Sequence, residues 1–181
     1  MSAGGINLLR TKVFDKSKWM QLPRDVIIGH GVIGQVRAVC EDLDLGDSVL
    51  IITGGRTRDV AGGRVEALLS DSYEVTVFST DGGDPFAVIR EAEEAAAGVG
   101  FVIGVGGGRI IDTAKIVAYN TDHHFISVPT AASHDGIASS RASVPTAEGN
   151  VSLAAEPPIA IVADTTIIAS APHRLLASGC A

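Results

Sequence analysis

The sequence predicts an α/β fold, a doubly wound, Rossmann-like parallel sheet, and three observations point to it. Unbroken apolar runs of strand length, such as Ser48–Thr53 and Gly100–Val105, suit strands buried on both faces. Segments with helical spacing separate them at intervals of about 25 residues, the rhythm of βαβ crossovers. The 21 glycines and only 4% aromatics fit tight turns between such elements.

The elements follow in order. Arg24–Gly29 reads as a short strand closed by glycine, and Val32–Leu43 as a helix with Val32, Val36, Val39 and Leu43 on one face. Ser48–Thr53 is a strand ending in Gly54-Gly55; Thr57–Leu69 is a helix whose start Gly62-Gly63 weakens. Glu74–Phe78 is a strand, Asp81–Pro85 a turn with Pro85 suited to a first helical position, and Phe86–Ala97 a helix. Gly100–Val105 runs into Gly106-Gly107-Gly108, Arg109–Tyr119 is a helix and His124–Val128 a strand. Pro129–Ser140 reads as an irregular loop, Arg141–Leu153 as a hairpin turning at Ala147–Asn150, and Ile159–Val162 as a buried strand. Met1–Arg24 reads as an arm over the domain. After Pro172 a helix begins that has no stop of its own, so the chain reads as cut within a larger protein.

Bulk properties narrow the function. At 181 residues this is one domain, or one domain and a fragment of another. A hydrophobic content of 46% excludes disorder, and glycines without a three-residue period exclude collagen. The net charge of −7 without Lys/Arg clusters argues against nucleic acid or an anionic membrane as partner. The longest uncharged stretch, Ala95–Gly108, is glycine-broken and short of the ~20 residues of a membrane span. Cys40 and Cys180 form no CxxC pair, and no signal peptide is recognisable, so a cytoplasmic protein with reduced thiols is expected.

Four segments carry candidate chemistry. Gly104–Asp112 places three consecutive glycines at a strand-to-helix junction, where backbone approaches a phosphate and the helix N-terminus offers free N–H donors. The spacing differs from GxGxxG, and a tight turn without a ligand is the plainer alternative. Asp112 and Lys115 either face a cofactor or form a first-turn carboxylate–lysine pair worth about 0.2–0.5 kcal/mol. Pro129–Gly136 follows a strand C-terminus, with small residues leaving room for a flat ring, or is only a polar capping loop. Ser133-His134-Asp135 is not a catalytic triad, because consecutive residues point in different directions. Arg56 and Arg58 would accept a ribose 2′-phosphate, or are solvated surface charges. The adjacent His123 and His124 are poorly placed to chelate one ion.

Gly106–Lys115 and Phe125–Ser139 closely resemble archaeal-type glycerol-1-phosphate dehydrogenases, within the superfamily of dehydroquinate synthase, glycerol dehydrogenase and iron-containing alcohol dehydrogenases. The glycine stretch is shared across that superfamily, whereas Thr130–Ser139 is much more specific. The resemblance runs from Arg24 to the last residue. Ser140 departs from it, standing where proline is expected.

The resemblance implies a dehydroquinate synthase-like N-terminal domain over residues 1–163, with 164–181 opening a helical metal-binding domain whose remainder is missing. It implies that NAD or NADP is bound by Gly108, Arg109, Ile110, Ile111 and Asp112, by Thr130, Ala131, Ala132 and Ser133, and by Ser139. Asp135 would contact the substrate. Zinc, held by ligands beyond Ala181, would polarise the carbonyl as dihydroxyacetone phosphate is reduced to glycerol 1-phosphate for archaeal membrane lipids. The 181 residues alone would bind dinucleotide weakly without catalysing, and the intact protein would be a homo-oligomer. A polyol dehydrogenase of the same superfamily and a non-catalytic nucleotide-binding module are the alternatives.

Overall fold

The computed structural model describes residues 22–132 and 137–175. Six parallel strands form one sheet: β1 (Asp25–Gly29), β2 (Ser48–Thr53), β3 (Glu74–Ser79), β4 (Phe101–Gly106), β5 (His124–Pro129) and, after a hairpin, β8 (Ala160–Asp164). Their order is β1-β8-β5-β4-β2-β3. From β2 the chain moves outward to β3, then returns to the other side of β2 and proceeds through β4, β5 and β8. The direction therefore reverses between β2 and β4, whose ends Thr53 and Val105 are in register. In open α/β sheets a crevice forms outside the carboxyl ends of such a strand pair.

Alternation along each strand divides the core into two layers. Val49 and Ile51 of β2, Phe101 and Ile103 of β4 and Ile126 of β5 pack beneath α1 (Val36–Leu43) and α3 (Gly63–Leu69). Leu50, Ile52, Val102 and Phe125 face α4 (Pro85–Ala95), α5 (Gly108–Asn120) and the hairpin β6 (Arg141–Thr146) and β7 (Gly149–Ala154). Both layers are built from apolar side chains, as strands buried on two faces require. Within the first, burial pushes the Cys40 thiol up to about 12, so it stays a neutral core side chain. Gly104 lets α5 lie against β4, since a Cβ there would sit 2.8 Å from Ala114 Cβ and 3.0 Å from Phe125.

The parallel sheet and the hairpin are as predicted. Two helices begin differently. A 3₁₀ turn (Val32–Gln35) precedes α1, because Asp164 accepts the Gly31 and Ile33 amides (3.0 and 3.1 Å) and fixes a tighter entry. The helix after β2 starts earlier than predicted, as α2 (Gly55–Thr57), and passes through a π-helical stretch (Arg58–Gly62) before α3. Gly62 does not weaken its start; it lies inside, where an added Cβ would meet Thr53 Oγ1 at 3.0 Å. A short α6 (Thr165–Ala169) begins at Asp164, and Ile167 packs against the first core layer. The arm proper (1–21) and the last six residues lie outside the described residues. No described helix is long and apolar enough to cross a membrane.

Candidate functional site

The crevice at the β2/β4 reversal is split in two by the N-terminus of α5. Gly107, the residue before the helix, is extended (φ −78°, ψ −177°) and offers no side chain of its own to cap it. The amides of its first turn have no acceptor within the helix, and the helix dipole adds positive potential where they point. An added Cβ on Gly107 meets none of the described residues within 4 Å. Gly106 is a packing glycine instead, since its Cβ would lie 2.6 Å from Ile110 Cβ. The Thr130 amide donates to Gly106 O (2.9 Å), joining the end of β5 to this turn.

On one side lies a cleft of about 650 Å³ between α5 and the hairpin. Gly108, Arg109, Asp112 and Ser139 line it, so four predicted site residues meet there. The hairpin contributes Arg141, Ser143, Asn150 and Ser152. Arg141 is pinned across the hairpin, its guanidinium donating to Ser152 Oγ (2.7 Å) and Ser152 O (2.8 Å). These hairpin residues were not among the predicted site. Their signal was present, because Arg141 and Ser143 alternate with Ala142 and Val144, which are buried. What the sequence lacked was the knowledge that the hairpin folds back over α5.

Asp112 and Lys115 hold that wall in place. Lys115 Nζ donates to Arg141 O (3.0 Å), and Asp112 Oδ2 accepts the Ser143 amide (3.2 Å). The two side chains lie 3.8 Å apart and are 8% or less exposed. This is not the solvated pair of a first helical turn. Nor is Asp112 simply turned to the cleft, since it binds the hairpin backbone while also lining the cavity.

On the other side a smaller cleft of about 220 Å³ lies outside the end of β2. Thr53 Oγ1 donates to Val105 O (2.9 Å) and meets Thr57 Oγ1 (3.0 Å), which in turn accepts the Gly54 amide (2.9 Å). Asp81, reached after β3, accepts the Gly55 amide (2.7 Å). Arg56, Asp81, Arg109 and Ile110 line the cleft. Arg58 instead pairs with Glu66 (3.1 Å) on the surface, so the two arginines considered together separate.

The remaining predicted residues distribute as follows. Ile111 lies in the core between α5 and the sheet and lines neither cleft. Thr130 and Ala131 are buried and Ala132 half-buried just beyond β5. Ser133 and Asp135 lie outside the described residues. His123 is tied to Val99 O (2.9 Å) and Thr121 Oγ1 (2.8 Å). At the end of β8, burial would raise the Asp164 carboxyl, but the amides of Ile33, Gly31, Thr166 and Ile167 outweigh it and hold it below its ordinary range.

Comparison with known proteins agrees with this architecture. Residues 27–172 match the family model described as iron-containing alcohol dehydrogenase. Over 181 residues the chain is 80% identical to a protein of Methanoculleus marisnigri and 67% identical to one of Methanoregula boonei. Both are named glycerol-1-phosphate dehydrogenase [NAD(P)+]; each match covers all of this chain and 50% of the relative. The chain thus spans about half the length of these curated relatives. Among solved structures, a probable glycerol dehydrogenase from Sinorhizobium meliloti superposes with a TM-score of 0.78 at 28% identity. That match covers 90% of this chain and 44% of the other. The chain belongs to the iron-containing alcohol dehydrogenase family.

Proposed function

We propose that this chain holds the dinucleotide in a glycerol-1-phosphate dehydrogenase, which reduces dihydroxyacetone phosphate to glycerol 1-phosphate with NADH or NADPH. The observation that carries the reading is the start of α5 in the β2/β4 crevice, where Gly107 offers no capping side chain of its own. The name shared by the relatives supplies the substrate. The product is the glycerophosphate backbone of archaeal membrane lipids, and the setting is the cytoplasm, where triose phosphate and pyridine nucleotides are dissolved.

The residues present fit a dinucleotide. The first-turn amides of Gly108, Arg109 and Ile110 would hold the pyrophosphate, with room left by the bare Gly107. Arg56 and the turn after β2 would receive the adenosine side, and the hairpin cleft with Ser139 the nicotinamide side. Thr130 to Ser133 are proposed to contact the cofactor further along, and Asp135 a substrate hydroxyl. When bound, the dinucleotide supplies the hydride that reduces the substrate carbonyl. The chain's own residues do the positioning. Arg109 reaches both clefts and adds positive charge next to the diphosphate. Asp112 and Lys115 fix the hairpin wall. Among the described residues no group of three His, Cys, Asp or Glu could hold a metal ion, so the zinc implied by the resemblance is not assigned to any of them.

Gly107→Ala tests the site, because the added Cβ has no described neighbour to clash with. The variant is expected to keep its melting temperature and lose NADH binding at least tenfold, about 1.4 kcal/mol. Turnover of the intact protein tests the substrate: dihydroxyacetone phosphate is expected to oxidise NADH and NADPH. Reduction of unphosphorylated dihydroxyacetone alone would instead assign a polyol dehydrogenase.

A further inference from the structure

Dinucleotide folds of this kind commonly place an acidic side chain after the second strand to bind the ribose hydroxyls of adenosine. Here that position reads Gly54-Gly55-Arg56, with no carboxylate. One arrives from the neighbouring strand instead. β3 runs parallel to β2, with Thr53 opposite Ser79, and the Thr80 amide donates to Thr53 O (2.9 Å). That bond carries the chain directly past the end of β2 and sets Asp81 against Gly55, whose amide it binds through Oδ1 at 2.7 Å. The side chain is exposed in the cleft that Arg56 and Arg109 also line. A carboxylate has about four lone-pair sites, and one amide uses only one of them.

We infer that Asp81 is the specificity-determining residue at the adenosine ribose, supplied by the β3 turn in place of the missing acid after β2. The inference rests on the proposed dinucleotide site. Asp81 accepts hydrogen bonds from the 2′- and 3′-hydroxyls of NAD(H). Arg56 and Arg109 balance the 2′-phosphate of NADP(H), which Asp81 by itself would repel. Two cations and one anion in a single cleft leave it net positive, so both cofactors bind. The charge of Asp81 sets the ratio between them.

Asp81→Asn is the incisive variant, because its amide oxygen still accepts the Gly55 N–H while the negative charge is gone. Dissociation constants for NADH and NADPH are measured on the intact protein by titration calorimetry, for wild type, Asp81→Asn and Arg56→Ala. In Asp81→Asn the ratio Kd(NADH)/Kd(NADPH) is expected to rise about tenfold or more, the loss of a charge-assisted hydrogen bond. Arg56→Ala is expected to move it the other way. If both cofactors bind and Asp81→Asn shifts the ratio less than about twofold, the assignment of Asp81 fails and the dinucleotide site stands. If wild type binds neither cofactor, the site reading fails and the inference with it.

Discussion

The two walls that flank α5 are built on opposite principles. On the hairpin side a lysine and a carboxylate are almost wholly buried, and each grips a backbone group of β6. On the β2 side the last hydrogen bond in the wall is a single exposed aspartate against the Gly55 amide. The difference lies in what happens when a partner is lost. Buried charges cannot fall back on water, so their geometry is enforced by the penalty of being left unpaired. An exposed carboxylate exchanges protein for water at little cost, and so remains available to a ligand. One wall is a fixture; the other is a reader.

Cutting the fixture should produce the largest effect. Lys115→Met leaves Asp112 buried beside an apolar side chain and is expected to cost about 3–5 kcal/mol. Urea unfolding measures the loss. Hydrogen exchange should show faster exchange in Arg141–Ala154 before other strands, and a uniform loss across the sheet would contradict the clamp. Replacing both partners, Lys115→Met with Asp112→Leu, should cost less than the single change, because no orphan charge remains.

A third carboxylate, Asp164, sharpens the contrast, being 2% exposed but satisfied by backbone amides alone. Asp164→Ala leaves those donors orphaned and is expected to cost about 1–3 kcal/mol at neutral pH. The sign with pH is fixed. Its folded-state pKa lies below the ordinary carboxylate value, so its contribution is complete above about pH 4 and is lost as pH falls through the folded value. Unfolding free energies of wild type and Asp164→Ala should therefore converge in acid. A constant gap down to about pH 2 would show that the amides gain nothing from the charge.

The smallest effect belongs to the surface. Arg58→Ala removes an exposed pair with Glu66 and should change stability by no more than about 0.5 kcal/mol. The same change should leave NADPH affinity unaltered, separating Arg58 from Arg56, which lines the cleft.

Much of this molecule is legible in its sequence, for local reasons. Ser48–Thr53, Gly100–Val105 and Ile159–Val162 announce themselves as strands because burial on both faces favours runs of apolar residues. The run Gly106-Gly107-Gly108 announces a tight strand-to-helix junction because only glycine leaves backbone uncovered. The hairpin's alternation is equally local, and its existence and turn were predicted. The sequence alone did not reveal which distant pieces would meet. Asp81 reads as turn punctuation until β3 pairs with β2 and delivers it to Gly55. Asp112 and Lys115 read as a weak helical pair until the hairpin folds over them and excludes water. The same two side chains, i and i+3 on a helix, are nearly neutral when solvated and decisive when buried. Periodicity records the face a residue occupies; the dielectric around it, which sets what its charge is worth, belongs to the packed fold.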